Sequence, residues 1–460
     1  MVQIDALNPG RVDLEGRIEA RTARVAVLGL GYVGLPLAVA MARAGFAVVG
    51  IDPDEKKIET LRSGASYALD VESSEIARLA ASQSFCASGS YEDLADADAV
   101  IISVPTPMTR MKQPDISCIL AAGEGLAAHL RPGMLVVLQS TTFPGTTERY
   151  LRPVLERSGL CAGVDFHLAY VPERINPGDT RFTVENIPTV AGGLTGVCGE
   201  LAASLFRAIG APVTVTSSPS AAELTKCYEN SFRFVNIALA NEIGRLCERM
   251  GLNAWEVIDA ASTKPFGFLA HYPSGGVGGH CILVDPYYLA CAAREYDLSL
   301  GFIQLAASVN EAMPYHVADL VRSALGRQGM GIQGAKVLVL GVAFKKDIDD
   351  ARNSPAERLI ETLLDDGAEV VYHDPFVPEF PAHSDFVSRR PFRLHSVPLD
   401  DELLTAVDCA VIMQAHSGID YHHVVTKARS AVDACGALPV DLGTGVPESV
   451  SARIVRLGVG

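Results

Sequence analysis

The stretch that most restricts the fold is residues 23–52, "ARVAVLGLGYVGLPLAVAMARAGFAVVGID". Residues 24–30 form a short apolar, β-branched run, followed by the turn Gly29-Leu30-Gly31-Tyr32-Val33-Gly34. An alanine-rich helical stretch, Gly45 and a second apolar run ending at Asp52 complete it. Strand, glycine turn, helix, strand and acid in this order predict a parallel βαβ unit that binds a dinucleotide. Gly29 permits the turn, Gly31 lets a pyrophosphate approach the backbone and the helix N-terminus, and Gly34 lets helix and strand pack closely. Asp52 lies 18 positions after Gly34, where an acid bonds ribose hydroxyls. A carboxylate there repels a 2′-phosphate, so the expected cofactor is NAD and not NADP. The bland alternative is a glycine turn without ligand; the complete unit argues against it.

Further strand-like runs follow at 99–104, Leu135–Leu138, 167–171 and Val213–Thr216, with helical patterns between them. They predict an open, mainly parallel sheet ending near residue 215. "VPTP" (104–107) and "STTFPG" (140–145) come directly after two of these strands. Ligands in such sheets sit beyond the carboxyl ends of strands, which makes Pro105, Thr106 and Thr142 candidates; both segments also read as simple turns.

From Gly334 the pattern returns: "AKVLVLGVAFKKDIDDARNSPAERLIETLLDDGAEVVYHDP" is strand, loop, helix, strand and Asp374. Residues 409–416 and 438–443 read as further strands. Here Gly341 is followed by Val342-Ala343-Phe344-Lys345-Lys346, then Arg352. Such a loop suits phosphates but not the same dinucleotide contact. Between the halves, residues 218–251 read as one helix, with a cap at or near Ser220 and a stop at Gly251. It is apolar on several faces, so it should be buried and shared between subunits. Lys226 and Asn230 fall one turn apart on one face. The fold class is therefore α/β: two Rossmann-like doubly wound domains joined by a long central helix and a small helical domain. The expected boundaries are 1–217 (with 1–22 as an extension), 218–330 and 331–460.

The net charge of −16 argues against nucleic acid or an anionic membrane as partner. No apolar run is long enough to span a bilayer, and the N-terminus lacks a signal-peptide core, so a cytoplasmic enzyme is expected. Ten cysteines lie singly with no CxxC pair, so neither a metal site nor a disulfide framework is expected, and most should be small core residues. One differs. In "YPSGGVGGHCILVDPYYL" (272–289), Gly275, Gly276, Gly278 and Gly279 stand just ahead of His280 and Cys281, with Asp285 beyond. Either the backbone turns too sharply for other residues, or something lies close to it.

Taken together, GLGYVGLP, VPTP, STTFPGT, VPERINPGD, AELTKCYEN, GGVGGHC, VDPYYL and GVAFKKDIDDARNSP resemble, in order, the UDP-glucose/GDP-mannose dehydrogenase family of nucleotide-sugar 6-dehydrogenases. The resemblance runs from about residue 20 to the C-terminus. It implies that an alcohol at C6 becomes a carboxylate in two hydride transfers to NAD. Cys281 would add to the aldehyde as a thiolate, and the thiohemiacetal would become a thioester that water cleaves. By motif position Lys226 would stabilise the oxyanions with help from Asn230. Glu173 would act as general base, Thr142 would hold the water and Asp285 would share the proton network. Cofactor contacts would come from Gly29, Gly31, Tyr32, Val33, Gly34, Asp52, Pro105, Thr106, Thr142 and Arg352. The UDP-sugar would meet Glu173, Arg174, Lys226, Asn230, Tyr272, Ser274, Gly275, Gly278, Gly279, Phe344 and Lys345. A homodimer built on the 220–250 helix is expected.

Two substitutions separate this chain from the UDP-glucose branch. That branch has a lysine where Val284 stands and a second glutamate where Pro177 stands. "ERINPGD" and "GGHC…VDPYYL" resemble the UDP-N-acetylhexosamine branch, although Leu283 replaces its usual proline and "PSGG" its Pro-Gly-Pro-Gly. The expected substrate is UDP-N-acetylglucosamine or a close N-acetylhexosamine epimer, with UDP-glucose as the alternative. A two-electron hydroxy-acid dehydrogenase would need no cysteine. A non-catalytic nucleotide-sugar binder would be expected to have lost Lys226, Glu173 or Cys281.

Overall fold

The computed structural model describes residues 9–68, 70–109, 112–175, 181–279, 282–381, 392–439 and 448–460. The chain forms two compact units, Met1–Thr109 with Gln113–Glu229, and Arg110–Lys112 with Asn230–Gly460.

Among the described residues the first unit carries eight strands: β1 (Arg24–Leu28), β2 (Ala47–Ile51), β3 (Phe85–Ser88), β4 (Ala99–Ile102), β5 (Leu135–Leu138), β6 (His167–Tyr170), β7 (Thr189–Gly193) and β8 (Val213–Thr216). Their order is β3-β2-β1-β4-β5-β6-β7-β8. Pairing is parallel except between β6 and β7. β3 and β7 went unread in the sequence, since "FCAS" and "TVAGG" lack a long apolar run. Every residue of β4 and β5 is buried, as a parallel sheet covered on both faces requires. The alternation is visible in β1. Val25 and Val27 enter one core while Ala26 and Leu28 enter the other.

The N-terminal extension belongs to this unit. Helix Pro9–Glu19 buries Leu14 and Ile18 in the first core. Arg17 forks onto both carboxylate oxygens of Asp98 at 2.6 Å, and Asp98 Oδ2 also accepts the Arg24 N–H at 2.8 Å.

The second unit repeats the plan with β9 (Lys336–Leu340), β10 (Glu369–His373), β13 (Cys409–Ile412), β14 (Ala431–Asp433) and β15 (Ile454–Arg456), plus the small pair β11 (Glu379–Pro381) and β12 (Arg393–His395). The main sheet is parallel, in the order β10-β9-β13-β14-β15. Val337 and Val339 face one core, Leu338 and Leu340 the other. The strand expected at 438–443 is a correction. Residues 438–439 are not in a strand, and 440–443 lie outside the described residues. The Asp433 carboxylate accepts N–H groups of Cys435, Ala437 and Leu438 at 3.0–3.2 Å and turns the chain there; beyond β14, β15 is the last strand of the described sheet.

Helix Pro219–Met250 has 32 residues, roughly 48 Å at 1.5 Å per residue. Ser218 Oγ accepts the Ala221 N–H at its start, and Gly251 at φ +70° ends it. Its apolar side chains are not all covered in the single chain: Leu224, Tyr228, Phe232, Leu239, Leu246 and Met250 are 41–66% exposed. The expectation about cysteines also needs correction. Cys198, Cys227, Cys247 and Cys409 are buried, but Cys86 and Cys161 are exposed. The nine described cysteines are free. Among the described residues no helix is long and apolar enough to cross a membrane, and no cluster of side chains could hold a metal ion.

Candidate functional site

In the first unit the β1 turn has the geometry its glycines predict. Gly29 sits at φ +92°, and a Cβ there would lie 2.3 Å from the Ser103 carbonyl oxygen. A Cβ on Gly34 would lie 1.9 Å from the Gly29 oxygen. Around Gly31 there is open space within 4 Å, the room that an approaching diphosphate needs. Helix Gly34–Arg43 starts after Val33 with no side-chain cap; the Leu35 and Leu37 N–H groups donate to the Gly31 and Val33 carbonyls at 3.1 and 3.2 Å, so an anion would meet the positive end of the helix at the turn itself. Tyr32 is half exposed beside it. At the end of β2, buried Asp52 accepts the Leu30 N–H on Oδ2 at 2.8 Å and the Asp54 N–H on Oδ1 at 3.0 Å. Two neighbours were missed in the sequence. Lys57 Nζ lies 3.1 Å from Asp52 Oδ2, and the Tyr67 hydroxyl donates to the Leu30 carbonyl at 2.5 Å. A capless helix end, an empty space over Gly31 and an acid at the strand tip fit a bound NAD.

The VPTP and STTFPG loops beyond β4 and β5 are tied together. Ser140 Oγ accepts the Val104 N–H at 2.9 Å and donates to the Val104 carbonyl at 2.8 Å. Thr106 Oγ1 donates to the Thr141 carbonyl at 2.8 Å. Pro105 is exposed next to it. Thr142 is fully buried, its hydroxyl 2.7 Å from that of Thr146. The anchor of this loop is Glu223, on the first turns of the long helix. Its carboxylate accepts the N–H groups of Gly145 (2.5 Å) and Thr147 (2.9 Å) and the Thr147 hydroxyl (2.6 Å). Burial pushes its pKa up to about 7 against the pull of these bonds. The sequence held no signal for Glu223 beyond its place three residues before Lys226. Cys227, one residue after Lys226, donates its thiol to the Thr142 carbonyl at 3.2 Å.

Lys226, only 8% exposed, donates from Nζ to the Glu173 carbonyl. The structure thus brings together two residues 53 positions apart. Desolvation raises the Glu173 pKa, with the Lys226 charge opposing. Its carboxylate also accepts the Ile175 N–H. Arg174 is held by the Glu229 carboxylate and by the Pro188 carbonyl at 2.9 Å. Pro177 lies outside the described residues.

In the second unit, Asn230 Nδ2 donates to Asp285 Oδ2 at 2.5 Å, both groups buried. Asp285 opens helix Asp285–Arg294. Cys281 and His280 lie outside the described residues. The glycines before them explain themselves by packing. A Cβ at Gly278 would sit 2.8 Å from Phe344 Cβ and 2.9 Å from the Asn353 oxygen, and at Gly279 2.8 Å from the Phe344 ring. At Gly275 it would meet Met413 at 2.8 Å. So the loop is stripped because the second Rossmann-like sheet's own loops press against it. The Gly279 N–H is taken by the Arg352 carbonyl at 3.2 Å.

Phe344 and half-buried Lys345 share the loop after β9. Exposed Arg352 is paired with Asp350 at 2.6 Å. The Tyr272 ring stacks on Trp255 at 5.1 Å, and its hydroxyl donates to Asp259 at 2.7 Å. The Ser274 N–H donates to Asn241 at 2.8 Å. Tyr272, Ser274 and Gly275 line a cavity of about 300 Å³ together with Trp255, Met413 and Cys435.

Comparison with known proteins agrees along most of the chain. Three parts of the UDP-glucose/GDP-mannose dehydrogenase family match: its NAD binding domain over residues 23–210, its central domain over 220–312 and its UDP binding domain over 338–439. The UDP-N-acetyl-D-glucosamine 6-dehydrogenase of Pseudomonas aeruginosa is 40% identical over 357 residues, 77% of this chain and 83% of that protein. The UDP-N-acetyl-D-mannosamine dehydrogenase of Pyrococcus horikoshii is 37% identical over 77% of this chain and 84% of its own length. A solved structure of the UDP-D-ManNAc dehydrogenase from Pyrococcus horikoshii superimposes with a TM-score of 0.83 at 31% identity, covering 95% of this chain and 99% of that one.

Proposed function

The chain belongs to the UDP-glucose/GDP-mannose dehydrogenase family, and we propose that it oxidises C6 of UDP-N-acetylglucosamine through the aldehyde to the uronic acid. It is an NAD-dependent nucleotide-sugar dehydrogenase. The observation that carries the dehydrogenase reading is the meeting of nearly buried Lys226 with Glu173, whose carboxyl is desolvated and raised in pKa; the second oxidation rests on Cys281. A cation next to an acid held closer to neutrality suits oxyanion stabilisation and proton removal in one place.

Bound NAD supplies the hydride acceptor, once for the alcohol and once more on the way to the acid. Cys281 adds as thiolate to the C6 aldehyde, and the adduct passes from thiohemiacetal to thioester. Lys226 and Asn230 carry the oxyanion. Glu173 takes the proton from water held by Thr142, and water cleaves the thioester to free the thiol. Asp285 keeps the Asn230 amide oriented. Gly29, Gly31, Tyr32, Val33, Gly34, Asp52, Pro105, Thr106 and Arg352 serve the cofactor. Arg174, Tyr272, Ser274, Gly275, Gly278, Gly279, Phe344 and Lys345 serve the UDP-sugar. Domains 1–217, 218–330 and 331–460 divide this work between cofactor, dimer contact and nucleotide. The exposed apolar stripe of helix Pro219–Met250 supports a homodimer, and light scattering at micromolar concentration checks it.

An N-acetylhexosamine is favoured by Val284, which is 2% exposed where the UDP-glucose branch carries a lysine. The Pseudomonas aeruginosa relative acts, by its name, on UDP-N-acetyl-D-glucosamine. The test has two readings. Complete conversion should yield two NADH per sugar and no lasting aldehyde; one NADH with free aldehyde defeats the mechanism. The kcat/KM for UDP-N-acetylglucosamine, or for its galacto or manno epimer, should exceed that for UDP-glucose. Apolar niches discriminate such groups by about 10–200-fold. A lead for UDP-glucose defeats the branch assignment.

A further inference from the structure

The loop that carries Phe344 and Lys345 is held by a buried imidazole that no motif pointed to. His416, four residues past the end of β13, has a side chain with no exposed surface. Its Nδ1 accepts the Asp347 N–H at 2.9 Å, and its Nε2 lies 3.1 Å from Asp374 Oδ2. A backbone N–H can only donate, so Nδ1 must keep its lone pair. The proton therefore sits on Nε2, where the Asp374 carboxylate accepts it. Asp374 Oδ2 at the same time accepts the N–H groups of Val342 and Ala343 at 2.8 and 3.0 Å.

The imidazole and its carboxylate thus grip both ends of the segment 342–347. Asp347 needs the grip, because it sits at φ +58° without being glycine. Its carboxylate is further bound by the Ser417 N–H and hydroxyl at 2.6 and 2.7 Å. Gln414 Nε2 donates to the Phe344 carbonyl at 3.2 Å. Phe344 in turn packs on Gly278 and Gly279.

We propose that His416, as the neutral Nε2–H tautomer, is a positioning residue for the nucleotide half of the substrate. It acts by fixing the Phe344–Lys345 loop through the Asp347 N–H and Asp374. The inference rests on the reading that this loop receives the UDP moiety. It assigns no chemistry to the imidazole itself.

The test uses the full chain, with UDP and NAD+ titrated separately by calorimetry. His416→Leu removes both bonds and should weaken UDP by about 10- to 100-fold, the effect of one or two lost buried hydrogen bonds. NAD+ affinity should stay within about twofold. His416→Asn places an oxygen near the Nδ1 position and should recover much of the loss, whereas His416→Gln keeps only the Asp374 side and should not. If the leucine variant does not fold, the asparagine and glutamine variants still decide between the two outcomes. In ¹⁵N-histidine-labelled protein, the resonances lost in His416→Asn should be those of a neutral ring with Nδ1 unprotonated. An unchanged UDP affinity in the leucine variant, an equal fall for UDP and NAD+, glutamine matching asparagine, or a doubly protonated ring overturns the proposal. A wild-type chain that does not bind UDP overturns the functional reading and this inference with it.

Discussion

The two Rossmann-like halves begin their first turn alike and then part. Gly29 and Gly341 end the first strand of each half at φ +92° and +79°. A Cβ on either would strike the segment after the neighbouring strand, at Ser103 in one half and Gln414 in the other. The next N–H, of Leu30 or Val342, donates at 2.8 Å to the acid that follows the second strand, Asp52 or Asp374. Beyond this the halves differ in what the acid has left. Asp52 is met by two backbone N–H groups and a half-exposed lysine. Asp374 takes five donors, from Val342, Ala343, Phe376, Val377 and His416. A carboxylate has about four lone-pair sites, so Asp374 is saturated. Burial alone would raise its pKa, but His416 and the backbone donors hold it below the usual carboxylate range. The same residue at the same place thus keeps acceptor capacity in one half and is an internal strut in the other. An acid after the second strand marks the fold; its remaining acceptor capacity marks the function.

The largest effect is expected at Cys281. Cys281→Ala should fold normally yet lose acid formation by several orders of magnitude, about the scale for a missing covalent nucleophile. Product analysis showing near-normal uronic acid would remove the cysteine from the mechanism.

The comparison of the two acids can be broken directly. Asp374→Ala strands four backbone N–H groups and an imidazole in the interior, and should cost about 3–5 kcal/mol. Asp52→Ala should cost only about 1–2 kcal/mol but weaken NAD. Denaturant unfolding and NAD titration of the pair would settle this. Equal stability losses would mean that Asp52 is a strut as well.

Glu223 sharpens the contrast, as a buried acid that its donors do not hold low. Its folded pKa, about 7, stands above the ordinary 4.5. The native state therefore holds the proton more tightly than the unfolded chain does. This contribution to stability is fully present below about pH 4.5 and is lost as the pH rises through about 7, a change on the order of 3 kcal/mol. Glu223→Gln should flatten the stability profile between those values. An unchanged slope would show that Glu223 does not titrate there.

The smallest effect concerns cofactor choice. Asp52 should favour NAD over NADP by about tenfold in kcat/KM, or about 1.4 kcal/mol. The nearby Lys57 offsets part of the carboxylate's charge, so a much larger ratio is not expected. Equal use of both cofactors would show that Asp52 does not face the ribose.

Most of the first half was legible because its signals are local. The period of apolar runs, the glycines of the turn and the acid 18 positions later all act within one βαβ unit. The long helix was legible for the same reason, to within a residue at each end. Strands β3 and β7 were missed because short or glycine-containing segments owe their conformation to neighbours. At 438–439 the expected strand is absent, because apolar composition does not reveal that the Asp433 side chain bends the backbone just before them.

By itself the sequence determined the family, the α/β architecture and the NAD-binding domain, and it named the candidate residues for chemistry. Each of these is written in spacings of a few residues or in ordered motifs. Only the tertiary structure decided which of those residues meet and what constrains them. Lys226 finds the Glu173 carbonyl across 53 residues, and Asn230 finds Asp285 across 55. Glu223 proves to be the anchor of the Thr142 loop, and His416 with Asp374 grips the Phe344 loop. The glycines before Cys281 turn out to make room for Phe344 and Asn353. The physical reason is that hydrogen-bond partners and close packing are properties of space. A buried donor or acceptor takes whatever partner the fold brings within about 3 Å, and no local pattern names that partner.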